Sequence, residues 1–355
     1  MRVVAYLSIV RVQREAVAAV HGALALLPPG RWVLAVSGGR DSMVLLDAMS
    51  HARDGEIAAV ATFDHGTGAA ARLASELVRQ VAAARGLRVV LDVMTPLAGA
   101  GEARWRAARW RFLNDCSREF DAPVITAHTR DDQIETVVQR LLRDSGPRGL
   151  AGMLAPTSAG ALHTGALHAG FTRHVVRPLL AVPRSTVAAY AAARNVPFIE
   201  DPSNASRAHQ RNRVRLELLP ALERVHPGFG AWCVELSTRA AAWRAAVDAF
   251  ADTLVAGVDT VSVDTVSVDA GALTLLGEAE WRVLWPALAA RAGVAMDRRG
   301  IVRAAMWAPR AVAGSQIPLS GGARIERTAS TFVVRPSRDT HHSGTPHDRS
   351  GYIFN

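Results

Sequence analysis

The residues best placed to do chemistry are Ser37, Gly38, Gly39, Arg40, Asp41 and Ser42. They follow the apolar run Trp32-Val33-Leu34-Ala35-Val36 and precede residues 43–49, which are apolar at helical spacing. A buried strand, a glycine turn and a helix start would therefore meet here. That geometry aims backbone N–H groups and the positive end of a helix dipole at one point, which suits an anion. The paired glycines let the chain approach a phosphate closely and take positive φ. An acid in such a loop repels the anion unless a divalent cation lies between them. The six residues thus predict a nucleotide-phosphate cradle with Mg²⁺, and Asp41 as the metal ligand. A Walker A loop is excluded, because that motif ends in Gly-Lys-Ser/Thr and all 41 basic residues of this chain are arginine.

Three further clusters carry charge in useful patterns. His128-Thr129-Arg130-Asp131-Asp132-Gln133-Ile134-Glu135 places Glu135 one helical turn after Asp131 on the same face. Acids at a helix start also serve the helix dipole, but these follow a strand pattern, where cation binding is useful. Glu102, Arg106 and Arg109 lie at intervals that let the two arginines share a helix face, fit for a triphosphate, an RNA backbone or plain solvent. Glu200-Asp201-Pro202-Ser203-Asn204 is a turn, and Arg211, Arg213 and Arg215 follow it as a dense basic helix start suited to phosphate contacts.

These clusters need elements to hold them. After the loop helix, residues 57–63 read as a strand ending at Asp64-His65-Gly66, 69–85 as a helix stopped by Gly86, and 87–93 as a strand. Residues 102–120 read as a long helix, 123–127 as a strand ending in His128, and 131–143 as a helix. Strands alternating with helices predict an α/β fold, a parallel sheet with helices on both faces. Ligands bind beyond the carboxyl ends of such strands, so 37–42, 64–66 and 128–132 are expected to converge. Helices are expected over 11–27, 183–194, 211–224, 230–256 and 278–292, with Trp232, Trp243, Trp281 and Trp285 in the core. Val-Asp-Thr-Val-Ser occurs twice within 258–267 and is β-like. Residues 317–334 alternate around a Gly321-Gly322 turn, a small β-rich module.

Composition sets the limits. The 355 residues allow two domains or more, and 49% hydrophobic residues suffice for a large core. A net charge of +9 suits an anionic partner such as nucleic acid, or simply an arginine-rich proteome. Cys116 and Cys233 are isolated, which disfavours a disulfide scaffold, a zinc ribbon or an iron–sulfur cluster. Apolar stretches at 3–10 and 16–27 are split by Arg11, Arg14 and Glu15, too short for a membrane span, so a cytoplasmic location is expected. His163 and His168 sit in a small-residue loop, 156–170, with a tandem Gly-Ala-Leu-His, and read as loop rather than metal ligands.

Ser-Gly-Gly-x-Asp-Ser resembles the signature of the PP-loop ATP pyrophosphatases, and the other clusters narrow the likeness. Glu102-Ala103-x-x-Arg106-x-x-Arg109, Ala127-His128-x-x-Asp131-Asp132-Gln133-x-Glu135-Thr136 and the 140–153 run from Arg140 through Arg143 and Arg148 to Met153 resemble the tRNA(Ile)-lysidine synthase family. So does Glu200-Asp201-Pro202-Ser203-Asn204 with Arg211-Asn212-Arg213-x-Arg215. The likeness is strong over 30–227 and only suggestive beyond. It implies an adenine nucleotide alpha hydrolase-like fold and ATP-dependent ligation of free lysine to the wobble cytidine of a tRNA(Ile) with a CAU anticodon. The cytosine 2-carbonyl oxygen would be adenylated with loss of pyrophosphate, and the lysine ε-amine would then displace AMP. In that scheme Ser37 to Ser42 hold pyrophosphate, Asp41 serves Mg²⁺, and Arg106 and Arg109 steady phosphate. His128 contacts the activated base or phosphate, Asp131, Asp132 and Glu135 receive the lysine ammonium, and Arg140, Arg143, Arg148, Arg211, Arg213 and Arg215 contact RNA.

Two departures stand out. Thr129 occupies the place of a second histidine, and Asp64-His65-Gly66-Thr67-Gly68 lacks the Leu-Arg pair usual in the family. The rival readings are a PP-loop tRNA thiolase, disfavoured by the isolated cysteines, an amide-forming PP-loop ligase, and a non-catalytic RNA-binding protein on the same scaffold. The expected organisation is a catalytic domain over 1–227, a helical tRNA-binding region over 228–310, a β-rich module over 311–337 and a tail without fixed structure over 338–355. The oligomeric state, monomer or homodimer, stays open.

Overall fold

The computed structural model describes residues 2–66, 68–94, 102–153, 175–255, 265–273, 276–337 and 353–354. In chain order these form α1 (Arg2–Ala25), β1 (Trp32–Ala35), α2 (Arg40–Ala52), β2 (Ile57–Asp64), α3 (Ala69–Ala83), β3 (Val89–Val93), α4 (Glu102–Glu119), β4 (Val124–Thr126) and α5 (Arg130–Leu141). There follow α6 (Pro147–Leu150), β5 (Val175–Val176), α7 (Arg184–Arg194), α8 (Gln210–Arg213), α9 (Leu219–Val225) and α10 (Phe229–Val255). The remainder comprises β6 (Val266–Asp269), α11 (Glu278–Arg291), α12 (Arg298–Trp307), β7 (Gln316–Pro318), β8 (Arg324–Arg327), β9 (Thr331–Arg335) and β10 (Ile353–Phe354).

The first sheet runs β10-β3-β2-β1-β4-β5, with all neighbours parallel except the edge strand β10. β1 shows why both faces must be covered. Leu34 and Val36 enter a core with Met43, Leu45, Val78 and Tyr190 from α2, α3 and α7, while Val33 and Ala35 meet Trp110, Leu113 and Cys116 of α4. Residues Ser42 to Met49 of α2 are buried without a gap, so this helix is enclosed on all sides. The chain steps from β1 outward to β2 and β3, then crosses to β4 on the other side of β1. Diverging chain directions open a crevice at the carboxyl ends of β1 and β4, the usual place for a ligand in such sheets.

The chain divides into two compact units, Met1–Thr238 with Ser350–Asn355, and Arg239–Arg349. The division falls within α10, later than the expected 227/228 limit, because residues 231–255 contain no glycine or proline to break the helix. The second unit is an antiparallel sheet, β6-β9-β8-β7, with α11 and α12 sharing its core. Trp281 and Trp285 stack with ring centres 4.9 Å apart, and the Phe332 ring meets both edge-on. Thus β6, from the repeat at 258–267, joins the module expected at 311–337; the rest of that repeat, apart from Thr265, lies outside the described residues.

Three expectations need correction. Trp232 is not core: it is 45% exposed and rests against Phe229, because the face of α10 that packs on α5 carries Cys233 and Leu236 instead. The apolar stretch at 3–10 and the helix expected over 11–27 form one helix, α1, since no glycine or proline separates them. The 211–224 helix is α8 and α9 joined through a π-helical segment, Val214–Leu218. The 338–355 tail lies outside the described residues except at β10. No helix among the described residues is long and apolar enough to cross a membrane.

Candidate active site

The glycine loop is shaped by sterics. Gly38 has φ of +79°, and a Cβ there would come within 2.5 Å of the Ala74 carbonyl oxygen on α3. Both the conformation and the close approach require glycine. Ser42 Oγ donates to Gly39 O at 2.9 Å and accepts from Ser37 N at 3.1 Å, closing the loop over the first turn of α2. Ile199 N donates to Gly38 O at 3.0 Å, which brings the 199–204 turn alongside. Arg40 and Asp41 occupy the first two positions of α2, so the Asp41 carboxylate lies at the helix's positive end.

The second half of the site is built at the start of α5. Thr129 and Asp132 form a capping box in which Asp132 Oδ2 accepts from Thr129 N and Thr129 Oγ1, both at 2.8 Å. Thr129, the departure from two consecutive histidines, is therefore a helix cap. Asp132 Oδ1 accepts from Arg184 Nη2 at 2.8 Å and Arg211 Nη2 at 2.6 Å. The same two arginines reach Glu135, Arg184 through Nη1 at 2.9 Å and Arg211 through Nε at 2.6 Å. Glu135 has only 1% of its side chain exposed, so these pairs keep a buried charge from standing alone. Asp131 takes a different partner: its Oδ2 accepts from Arg184 N at 2.7 Å, satisfying an orphan donor in the first turn of α7.

Arg184 is the link that the sequence reading missed. Its Nε lies 3.8 Å from Asp41 Oδ2, so one guanidinium spans the glycine loop and the α5 acids. This contact carries the expected convergence of 37–42 with 128–132. Burial raises the Asp41 pKa, and Asp132 adds to that, against the pull of Arg184 and Arg40. Burial also works on Asp132, but Arg211 and Arg184 outweigh it and hold the pKa below the ordinary carboxylate value.

A third group lies at the carboxyl ends of β4 and β5 and on α4. His128 Nδ1 is 2.8 Å from Thr126 Oγ1. Burial and the charges of Arg177 and Arg109 push the His128 pKa far down, against the weaker opposing pull of Asp132, so its imidazole is neutral near pH 7. Burial and Arg109 also lower the pKa of His65, which places 64–66 in the same electrostatic neighbourhood. Arg109 itself is pushed down to about 10 by burial and by Arg106. Arg106 lies over Trp110, 5.9 Å from the ring centre. The side chain of Glu102 lies outside the described residues, as do His163 and His168.

The arginines expected on the RNA side separate into two sets. Arg211 is committed to Asp132 and Glu135. Arg140 Nη1 donates to the carbonyls of Gly149 and Gly152, so this side chain fastens the 146–152 turn to α5. Arg213 is exposed, Arg143 donates to Gln210 at 3.0 Å, and Arg215 donates to Asn204 O at 2.5 Å. Asn212, quoted in the 211–215 motif but given no role by it, donates from Nδ2 to the carbonyls of Ser203 and Ser206, both at 2.8 Å, which fixes the 200–206 turn against α8.

Comparison with known proteins gives the family. The PP-loop domain family matches residues 11–222. A tRNA(Ile)-lysidine synthase from Salinispora arenicola is 34% identical over 329 residues, 89% of this chain and 94% of its own length. The chain belongs to the tRNA(Ile)-lysidine synthase family. Family members from Salinispora tropica and Alkalilimnicola ehrlichii are 41% and 40% identical, each over 58% of this chain. Those matches span 60% and 44% of the relatives' own lengths, respectively. A U34-tRNA thiolase, NcsA from Methanococcus maripaludis with its [4Fe-4S] cluster, shares the fold with a TM-score of 0.50 at 16% identity, over 65% of this chain and 79% of that one. Membership in a PP-loop family implies use of ATP.

Proposed function

We propose that the chain ligates free lysine to the wobble cytidine of a tRNA(Ile) with a CAU anticodon, using ATP and passing through an adenylated cytidine. The observation that carries the reading is Arg184, which joins a phosphate-type glycine loop to a buried acid pair across the sheet's crevice. That arrangement offers one anion site and one cation-attracting site side by side, which adenylation followed by amine attack requires. ATP, free lysine and tRNA meet in the cytoplasm, where this reading places the chain.

The backbone N–H groups of residues 37–42 and the α2 dipole hold the pyrophosphate portion of ATP. Among the described residues no cluster of three His, Cys, Asp or Glu forms a metal cage. Mg²⁺ bound with a nucleotide needs only one or two protein carboxylates beside the phosphates. Asp41 fits that need, because burial disfavours its charge and a cation would relieve it. Bound there, the ion would supply positive charge to offset the negative charge developing on the leaving pyrophosphate.

The cytosine 2-carbonyl oxygen attacks the α-phosphorus, and the bond to pyrophosphate breaks. Neutral His128 is suited to hydrogen-bond the base or its phosphate, because Thr126 fixes the ring through Nδ1. Asp131, Asp132 and Glu135 supply the negative charge that attracts the lysine ammonium and takes up the proton the amine sheds before attack. The amine then bonds to cytosine C2 and AMP leaves with the former carbonyl oxygen. Mass analysis of the wobble base after incubation with ATP, lysine and unmodified tRNA tests this directly. Lysine-dependent gain of a lysyl group is the expected result; an unchanged base, or sulfur incorporation, contradicts it. Asp41→Ala should lower pyrophosphate release by roughly 100-fold or more, the scale for losing a transition-state charge contact, while tRNA binding persists.

A further inference from the structure

Arg177 follows β5 and is only 7% exposed, yet it has no carboxylate within ion-pair distance among the described residues. Its Nε is buried with no hydrogen-bond partner, and its Nη1 makes only a 3.4 Å contact with Val175 O. The Nε–Nη2 edge of the guanidinium therefore meets no acceptor among the described residues. The charges acting on it are those of Arg106 and Arg140, which repel it and, after burial, hold its pKa down at about 10. Arg109, half-buried and repelled by Arg106, likewise has no carboxylate partner among the described residues, and its charge acts with that of Arg177 on His128. Native proteins rarely leave buried charges and donors unmet, and a ligand is one of the few explanations. The side-on edge of an arginine is the donor pair that grips a phosphate through two hydrogen bonds.

We propose that Arg177 and Arg109 form a second phosphate site, on the β5 side of His128 and separate from the glycine loop. The sheet order favours a polynucleotide phosphate over the pyrophosphate of ATP. Gly38 lies past β1, His128 past β4 and Arg177 past β5, so Arg177 stands two strand intervals, roughly 10 Å, from the loop's strand. A phosphodiester next to the reacting nucleotide would lie at such a distance, with the base directed toward His128. This places the RNA strand across the β4 and β5 ends and leaves the glycine loop to the nucleotide. The identity of that RNA rests on the reading given above; the phosphate site itself does not.

Binding measured without turnover tests the site. Affinities of wild type, Arg177→Gln and Arg177→Lys are compared for ATP alone and for unmodified tRNA alone, across a salt series. Lysine keeps the charge but not the fork, so the Arg177→Lys protein separates charge from geometry should Arg177→Gln fold poorly. The expected result is about a tenfold loss of tRNA affinity in both variants, and in Arg177→Gln a salt slope shallower by about one, with ATP affinity unchanged. Loss of ATP affinity instead keeps the phosphate site and assigns it to the nucleotide. Folded variants that bind both ligands within twofold of wild type overturn the proposal. Absence of a lysyl product in the mass analysis would sink the reaction assignment while leaving these affinities meaningful.

Discussion

The two walls of the crevice solve opposite electrostatic problems. On the α5–α7 side, Arg184 and Arg211 pair with Asp132 and Glu135, while Asp131 meets the Arg184 backbone N–H and no guanidinium among the described residues, so the wall keeps one negative charge for an incoming cation. On the α4–β5 side, the charges of Arg109 and Arg177 act on His128, and neither arginine has a carboxylate within ion-pair distance among the described residues. The first wall stabilises the fold and holds Asp41 in register through Arg184. The second carries strain that an anion would relieve, which is how a binding site is commonly held ready. Charge balance, rather than charge count, distinguishes the two.

That contrast can be broken most severely at Glu135. Glu135→Ala leaves Arg184 and Arg211 without one carboxylate and should cost about 3 kcal/mol of stability, read by chemical denaturation. Arg177→Met should behave the opposite way. Removing a buried, repelled charge should leave unfolding free energy unchanged or raise it by about 1 kcal/mol. Equal destabilisation by the two substitutions would show that the walls are not different in kind.

Acid should separate the walls by pH window. His128 and His65 have folded pKa values below the ordinary 6.5, so the unfolded chain binds more protons than the folded one as pH falls below about 6.5. Stability then declines on acidification by at most about 1.4 kcal/mol per pH unit for each histidine that stays neutral. Asp132 has a folded pKa below its ordinary 3.8. Its contribution is intact above about pH 4 and is lost as pH falls through the folded value. His128→Gln should flatten the upper window and spare the lower one, as followed by thermal melts at several pH values. The smallest effect is expected at Arg143, exposed and held among the described residues by Gln210. Arg143→Ala should change stability by less than about 0.5 kcal/mol and weaken RNA binding slightly at every salt concentration.

How much of this was legible in the sequence follows from distance along the chain. The glycine loop is read from a dozen consecutive residues, because strand, turn and helix N-terminus are local. The acids at 131–135 and the strand-end rule placed them near the loop, and Arg184 bears that out. Arg184 itself was invisible, since its partners Asp132 and Glu135 lie 52 and 49 positions away and nothing in Pro183-Arg184-Ser185 marks it. Arg177 was equally hidden, because an unsatisfied guanidinium is defined by what surrounds it. Arg140 and Arg211 looked like RNA contacts when counted as charge. The fold turned one into a turn fastener and the other into an acid partner. Trp232 failed for a simpler reason: helix periodicity does not say which face of α10 meets α5.

The central claim is that the glycine loop activates an RNA base with ATP before lysine takes part. ATP labelled at the α-phosphate, mixed with enzyme and unmodified tRNA in the absence of lysine, tests it most directly. The account predicts that pyrophosphate is released, that label appears on the tRNA, and that later addition of lysine removes the label as AMP. Pyrophosphate release that needs no tRNA, or label that never reaches the RNA, would contradict it.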